Sequence, residues 1–136
     1  MSLNAPAPGY VVKLLSRYDF KTTIERITAL LHARGVTIFA DIDQAFAAAN
    51  AGTRLRPTRV ILFGNPKAGT PIMEENPHAA LELPLKVAVW QDEEGIVGVD
   101  YLNPSALLAH GYGISSEMTS GFATMEDALR QSIDGA

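Results

Sequence analysis

The sequence predicts a two-layer α+β domain, with helices collected on one face of a sheet that is at least partly antiparallel. Three observations predict it. Apolar residues alternate in short runs of strand length, beginning at Tyr10, Val36, Thr58, Leu85 and Ile96. Between several of these runs the apolar spacing changes to that of an amphipathic helix. Asp92-Glu93-Glu94-Gly95 then separates two adjacent runs as a hairpin turn, which makes those strands antiparallel neighbours. Helices on one side of such a sheet are the usual way to bury its apolar face.

The 136 residues suit one hydrophobic core, with 47% apolar and 19% charged residues as in a globular chain. Residues 1–9, rich in Pro and Ala, read as a flexible lead-in to a single domain over residues 10–134. The net charge of −4 opposes a nucleic-acid partner. Arg54, Arg56 and Arg59 form the one short basic cluster, read as a solvated strand edge. Without cysteine there is no disulfide, thiolate nucleophile or Cys-based zinc site. No apolar run reaches the 18 to 20 or so residues of a membrane span. The start lacks the basic and apolar segments of a signal peptide, so cytoplasm is the default location, with an earlier leader left open.

The first strand carries Tyr10, Val12 and Leu14 on one face. Asp19 or Thr22 can cap the helix that follows, with Ile24, Ile27 and Leu31 as its buried stripe and Gly35 as its stop. The second strand, residues 36–43, places Val36, Ile38, Ala40 and Ile42 on one face and Asp41 with Asp43 on the other. Asp43 can cap a short alanine-rich helix over residues 44–51. The third strand, residues 58–63, is apolar on both faces and so expected to be central or covered. A loop over residues 64–69 leads to a short helix capped by Thr70 with Pro71 at its first position. After the hairpin, Asn103-Pro104-Ser105 starts a helix that Gly111 and Gly113 break, and residues 124–133 form a terminal helix. Val97, Val99, Ile61, Phe63, Val11 and Leu15 are assigned to the second sheet face, whose apolar character predicts a homodimer interface.

The stretch Gly64-Asn65-Pro66-Lys67-Ala68-Gly69-Thr70-Pro71 gathers more backbone-special and polar residues than any other. Its glycines are spaced as in a phosphate loop, but its lysine sits inside the loop and Pro follows Thr70, so it is no nucleotide-binding P-loop. Backbone amides, a helix start and Lys67 could still hold a small anion. The alternative is a tight connection whose glycines and prolines serve only the backbone. Asp41 and Asp43 have a spacing that could divide acid and base roles; the alternative is one cap and one solvated carboxylate. His32, His78 and His110 form no ligand pair, and neither a metal site nor a cofactor is expected. Gly-x-Ser-x-Gly is absent. Tyr101 alternates with Asp100 and faces the other way, as a lid over a pocket or as half-buried core.

Several segments occur in an order that resembles the domain of unknown function 302 family. They are Thr23-Ile24-Glu25-Arg26-Ile27, Asp41-Ile42-Asp43, residues 52–58, residues 63–71, Leu83-Pro84-Leu85-Lys86 with Val89-Trp90, and Tyr101 with Pro104. Gly-Asn-Pro-Lys-x-Gly-Thr-Pro is the most specific part. The resemblance implies a curved, mainly antiparallel sheet like that of TATA-binding-protein-like folds, and a dimer; it brings no activity or substrate. Two positions depart from the family pattern: Gln44 replaces a frequent His, and Tyr101-Leu102-Asn103-Pro104 replaces Tyr-Asn-Asp-Pro. Gln44 cannot act as a general base near neutral pH.

Three functional readings follow. The first is a homodimeric module that binds a small polar or anionic ligand through Gly64, Asn65, Lys67, Gly69 and Thr70, with Asp43, Gln44 and Tyr101 nearby. The second is an interaction dimer without a small ligand. The third is an acid–base or metal-assisted enzyme using Asp41 or Asp43.

Overall fold

The computed structural model describes residues 5–135. The first four residues of the expected lead-in lie outside them. Five strands, β1 (Val11–Leu15), β2 (Thr37–Asp43), β3 (Thr58–Gly64), β4 (Leu85–Gln91) and β5 (Val97–Leu102), form one sheet in the order β1-β5-β4-β3-β2. Every neighbouring pair is antiparallel. The helices are α1 (Phe20–Ala33), α2 (Gln44–Asn50), α3 (Pro66–Glu75), α4 (Pro104–Tyr112), α5 (Ser116–Thr119) and α6 (Met125–Ile133), with 3₁₀ turns at Pro77–Leu81 and Ser120–Phe122.

One face of the sheet is the core. Ile61, Phe63, Val87, Val89, Val97, Val99 and Tyr101 project under α1 and α6, which contribute Ile24, Ile27, Leu31, Met125, Leu129 and Ile133. The alternation of the strands dictates this face, and the helical stripes dictate the covering layer. The residues expected on the second face divide between the two faces. Val97, Val99, Ile61 and Phe63 belong to the helix-covered core, and only Val11 and Leu15 of that group fall on the other face. There they join Leu62, Ala88 and Trp90. The third strand lies inside the sheet, between β4 and β2.

A second apolar cluster, Ile72, Ala79, Leu108 and Ile114, joins α3, α4 and the first 3₁₀ turn. Leu83 and Phe122 pack against both clusters. A small set of helices is thereby fixed beside the sheet rather than over its main core.

Two local features differ from the sequence expectation, each for a physical reason. The β2–β3 register slips between Ile38 and Ala40. Such a bulge lets two consecutive residues leave one face. Ile38 stays with the core, whereas Ala40 and Ile42 pair with Leu62 and Val60 on the opposite face. Helix α3 begins at Pro66, not at Pro71. Asn65 and Thr70 each precede a proline and each could cap. Asn65 does so, its side-chain oxygen accepting from the Lys67 amide at 2.9 Å. Pro71 is the sixth residue of this helix, so α3 lacks the amide that would otherwise donate to the Lys67 carbonyl.

Candidate functional site

The site candidate is a cleft of about 590 Å³ beside the end of β3. Its polar lining residues are Asn65 and Thr70, both from the start of α3. The remaining lining comes from Phe39, Ala40 and Leu62 of the sheet, Met73 of α3, the Leu83-Pro84-Leu85 corner and Phe122, together with Gly64, Pro66 and Gly69. This position follows from the fold. The cleft opens where the sheet, the main core and the satellite helices meet, and Leu83 and Phe122 belong to both packing clusters. Volumes of about 300–1,000 Å³ are typical of small-molecule pockets.

The two glycines of the stretch have an unexpected character. Neither Gly64 nor Gly69 has a positive φ. A Cβ on Gly64 would meet Phe39 and Pro84 at 3.7 Å, and one on Gly69 would meet Leu83 and Met73 at 3.8 Å. These are ordinary contacts, so an alanine fits both backbones. Glycine inside a helix costs roughly 1 kcal/mol relative to alanine. At Gly69 no backbone demand offsets that cost. What glycine does provide at both positions is open space along the cleft wall.

The start of α3 engages its own amides. Pro66 has no N–H; the Lys67 amide donates to the Asn65 side chain, and the Ala68 and Gly69 amides donate to the Asn65 carbonyl at 2.9 and 3.0 Å. The donors that the sequence offered to an anion are thus committed within the first turn. Lys67 is exposed and is not part of the lining.

The other residues named from sequence lie elsewhere. Asp43 caps α2, its side chain accepting from the Phe46 amide at 2.9 Å. It pairs with Arg59, at the end of the β2–β3 ladder opposite Gly64. Five residues of strand separate those rungs, roughly 17 Å. Gln44 opens α2 at that same far end. Asp41 receives two hydrogen bonds from Arg59, at 2.8 and 2.6 Å. The carboxylate raises the pKa of the Arg59 guanidinium through that hydrogen bond. Asp41 and Asp43 therefore have structural partners, and neither lines the cleft. Tyr101 is 2% exposed in the main core, stacked on Phe63 with ring centroids 6.5 Å apart. Its hydroxyl has no hydrogen-bond partner among the described residues. Burial first, then the Glu126 charge, pushes its pKa up. Among the described residues no group of three His, Asp or Glu side chains gathers at one point.

Sequence reasoning found the polar edge of the cleft and missed its apolar walls. Phe39 was the available signal, because an aromatic residue interrupts the alternation of the second strand at the bulge and is left 54% exposed. Asp92 belongs to the expected hairpin turn but is not solvated. It is buried, and its carboxylate accepts from the Glu94 and Ile96 amides at 2.9 Å, which shapes the β4–β5 turn.

Residues 12–133 match the family described as "Domain of unknown function DUF302". The chain belongs to that family. The same fold occurs in the crystal structure of an uncharacterized conserved DUF302 protein from Bacillus stearothermophilus, with a TM-score of 0.75 at 19% identity, covering 93% of this chain and 98% of the other. Over 109 residues the chain is also 35% identical to a protein named fluoride-specific ion channel FluC 1 from Brucella suis, covering 79% of this chain and 43% of the relative. FluC 2 of Brucella melitensis matches at the same identity, with 40% of its length covered. The chain thus spans about two fifths of the curated relatives it matches. Among the described residues no helix is long and apolar enough to cross a membrane.

Proposed function

We propose that this domain is a small-molecule-binding module whose site is the cleft beside residues 64–71. The observation that carries the reading is the pair Gly64 and Gly69. Each has a backbone that would accept a side chain, and each leaves room in a wall of the same cleft. Asn65 and Thr70 supply its polar contacts. Lys67 stands outside the lining and acts on a ligand only at long range. Asp43, Gln44 and Tyr101 have no part in binding.

The name of the Brucella relatives raises fluoride as a ligand for this chain. The cleft offers it little support. A small, strongly hydrated anion needs donors to replace its water, and the first-turn amides are already engaged.

The test is mass spectrometry of molecules released when the purified protein is denatured, compared with Gly69→Leu, whose side chain would occupy the cleft. A compound released by the wild type and absent from the variant is the expected result. Equal release from both, or thermal stabilisation of both by the same compounds, would place binding elsewhere.

A second reading concerns assembly. The sheet face away from α1 and α6 carries Leu15, Phe39 and Ile42, which are 57%, 54% and 40% exposed. Apolar exposure of this kind on one sheet face supports a homodimer that packs there. The two readings are compatible, because Phe39 and Ala40 join the cleft to that face.

A further inference from the structure

Resting on the cleft as a binding site, we infer that its ligand is an uncharged molecule with an apolar body and one hydrogen-bonding end, rather than a phosphate or carboxylate. Three independent features of the cleft select this class. The walls that a ligand would touch are Phe39, Leu62, Met73, Leu83 and Phe122, none of which can compensate a desolvated charge. The α3 amides that could receive an anion are bonded to Asn65. The two nearby cations lie outside the lining: Lys67 is exposed, and Lys86, cross-strand from Leu62, directs its Nζ to the Glu82 and Pro84 carbonyls at 3.4 Å.

What remains is a single polar patch. The Asn65 side-chain oxygen is used by the Lys67 amide, which leaves its NH₂ group, and the Thr70 hydroxyl is the other group on offer. One hydroxyl, carbonyl or amide on the ligand satisfies this patch. The rest of the cleft then buries ring or hydrocarbon surface, for which the driving force is removal of apolar area from water. The glycines fit the same picture. At both positions the cleft keeps space against Phe39, Pro84, Leu83 and Met73, where a flat or branched apolar group packs.

The experiment is a fluorescence titration with the neutral probe N-phenyl-1-naphthylamine, alongside thermal shifts with inorganic phosphate and with acetate. Wild type, Gly69→Leu, Gly64→Ala and Lys67→Ala are compared. The probe is expected to bind the wild type, to lose about tenfold or more in affinity with Gly69→Leu, and to change by no more than about twofold with Lys67→Ala. Phosphate and acetate should shift no variant. Should Gly69→Leu fail to fold, Gly64→Ala decides, since its added carbon makes only ordinary contacts; unchanged probe affinity there counts against the inference. Stabilisation by phosphate or acetate that Lys67→Ala removes, without probe uptake, overturns the ligand class but keeps a site at α3. Equal probe binding by wild type and Gly69→Leu, with no anion effect, overturns both.

Discussion

Gly98 shows how one residue without a side chain arranges its surroundings. A Cβ there would stand 2.5 Å from the Trp90 ring, so the indole lies directly against the β5 backbone. From that position its Nε1–H donates to Asp100 at 3.0 Å. Gly98→Ala must lift the ring off the sheet. It is expected to cost about 1–3 kcal/mol, as overpacking does, with a change in tryptophan emission that reports the displaced indole. Urea unfolding followed by fluorescence measures both. Asp19 acts at the same scale through charge. It caps α1, and the hydrogen bond from the Thr22 amide lowers its pKa. A lowered folded-state pKa means that its contribution is complete above the unfolded value of about 3.9. It disappears as pH falls through the folded value. Asp19→Asn keeps a capping oxygen and removes the titration. The variant should therefore lose less stability between pH 5 and pH 2 than the wild type, as followed by thermal melts. Parallel pH profiles would refute this role.

At the scale of elements, α3 decides what the 64–71 stretch is. Its cap is Asn65, and removing that oxygen should cost about 1 kcal/mol. Asn65→Ala is thus expected to destabilise the domain, whereas Thr70→Ala, inside the helix, should not; chemical denaturation of the two variants separates them. The opposite order would restore the later helix start expected from sequence. That start was misplaced because Asn65-Pro66 and Thr70-Pro71 carry the same cap-then-proline signal. The strands, α1, α2 and α6 were legible from periodicity and caps, with Asp43 and Gly35 in their expected places. The β2 bulge showed in the sequence only as the out-of-pattern aromatic Phe39, which marks an interruption of the alternation without specifying a register slip. It matters for the site, since it brings Phe39 and Ala40 to the cleft. The cleft's apolar walls were hidden for a related reason. A residue that lines a cleft and one that fills a core have the same composition, and only tertiary packing separates Leu62 from Ile61.

For the whole molecule, the proposed dimer and the proposed site make separate demands. Packing of two sheet faces predicts a light-scattering mass near twice the 14.6 kDa of the chain. Leu15→Lys should reduce it toward the monomer value, because a charge at that position would be buried against the second copy. A monomeric mass for the wild type at micromolar concentration would remove the dimer and leave the cleft reading intact. The carboxylate route to an enzyme has little support at this scale: Asp41 is paired with Arg59 on the sheet face opposite to its cleft-lining neighbour Ala40, and Asp43 caps α2 at the strand end away from Gly64.

The central claim is that the cleft beside residues 64–71 binds a small apolar molecule. Amide chemical-shift mapping by nuclear magnetic resonance during the N-phenyl-1-naphthylamine titration tests it most directly. The account predicts that the shifted amides cluster at Phe39, Leu62, Gly64, Asn65, Gly69 and Phe122, and that Gly69→Leu abolishes the pattern. Shifts confined to α1, α6 or the Asp43–Gln44 end, or none at saturating probe, would contradict it.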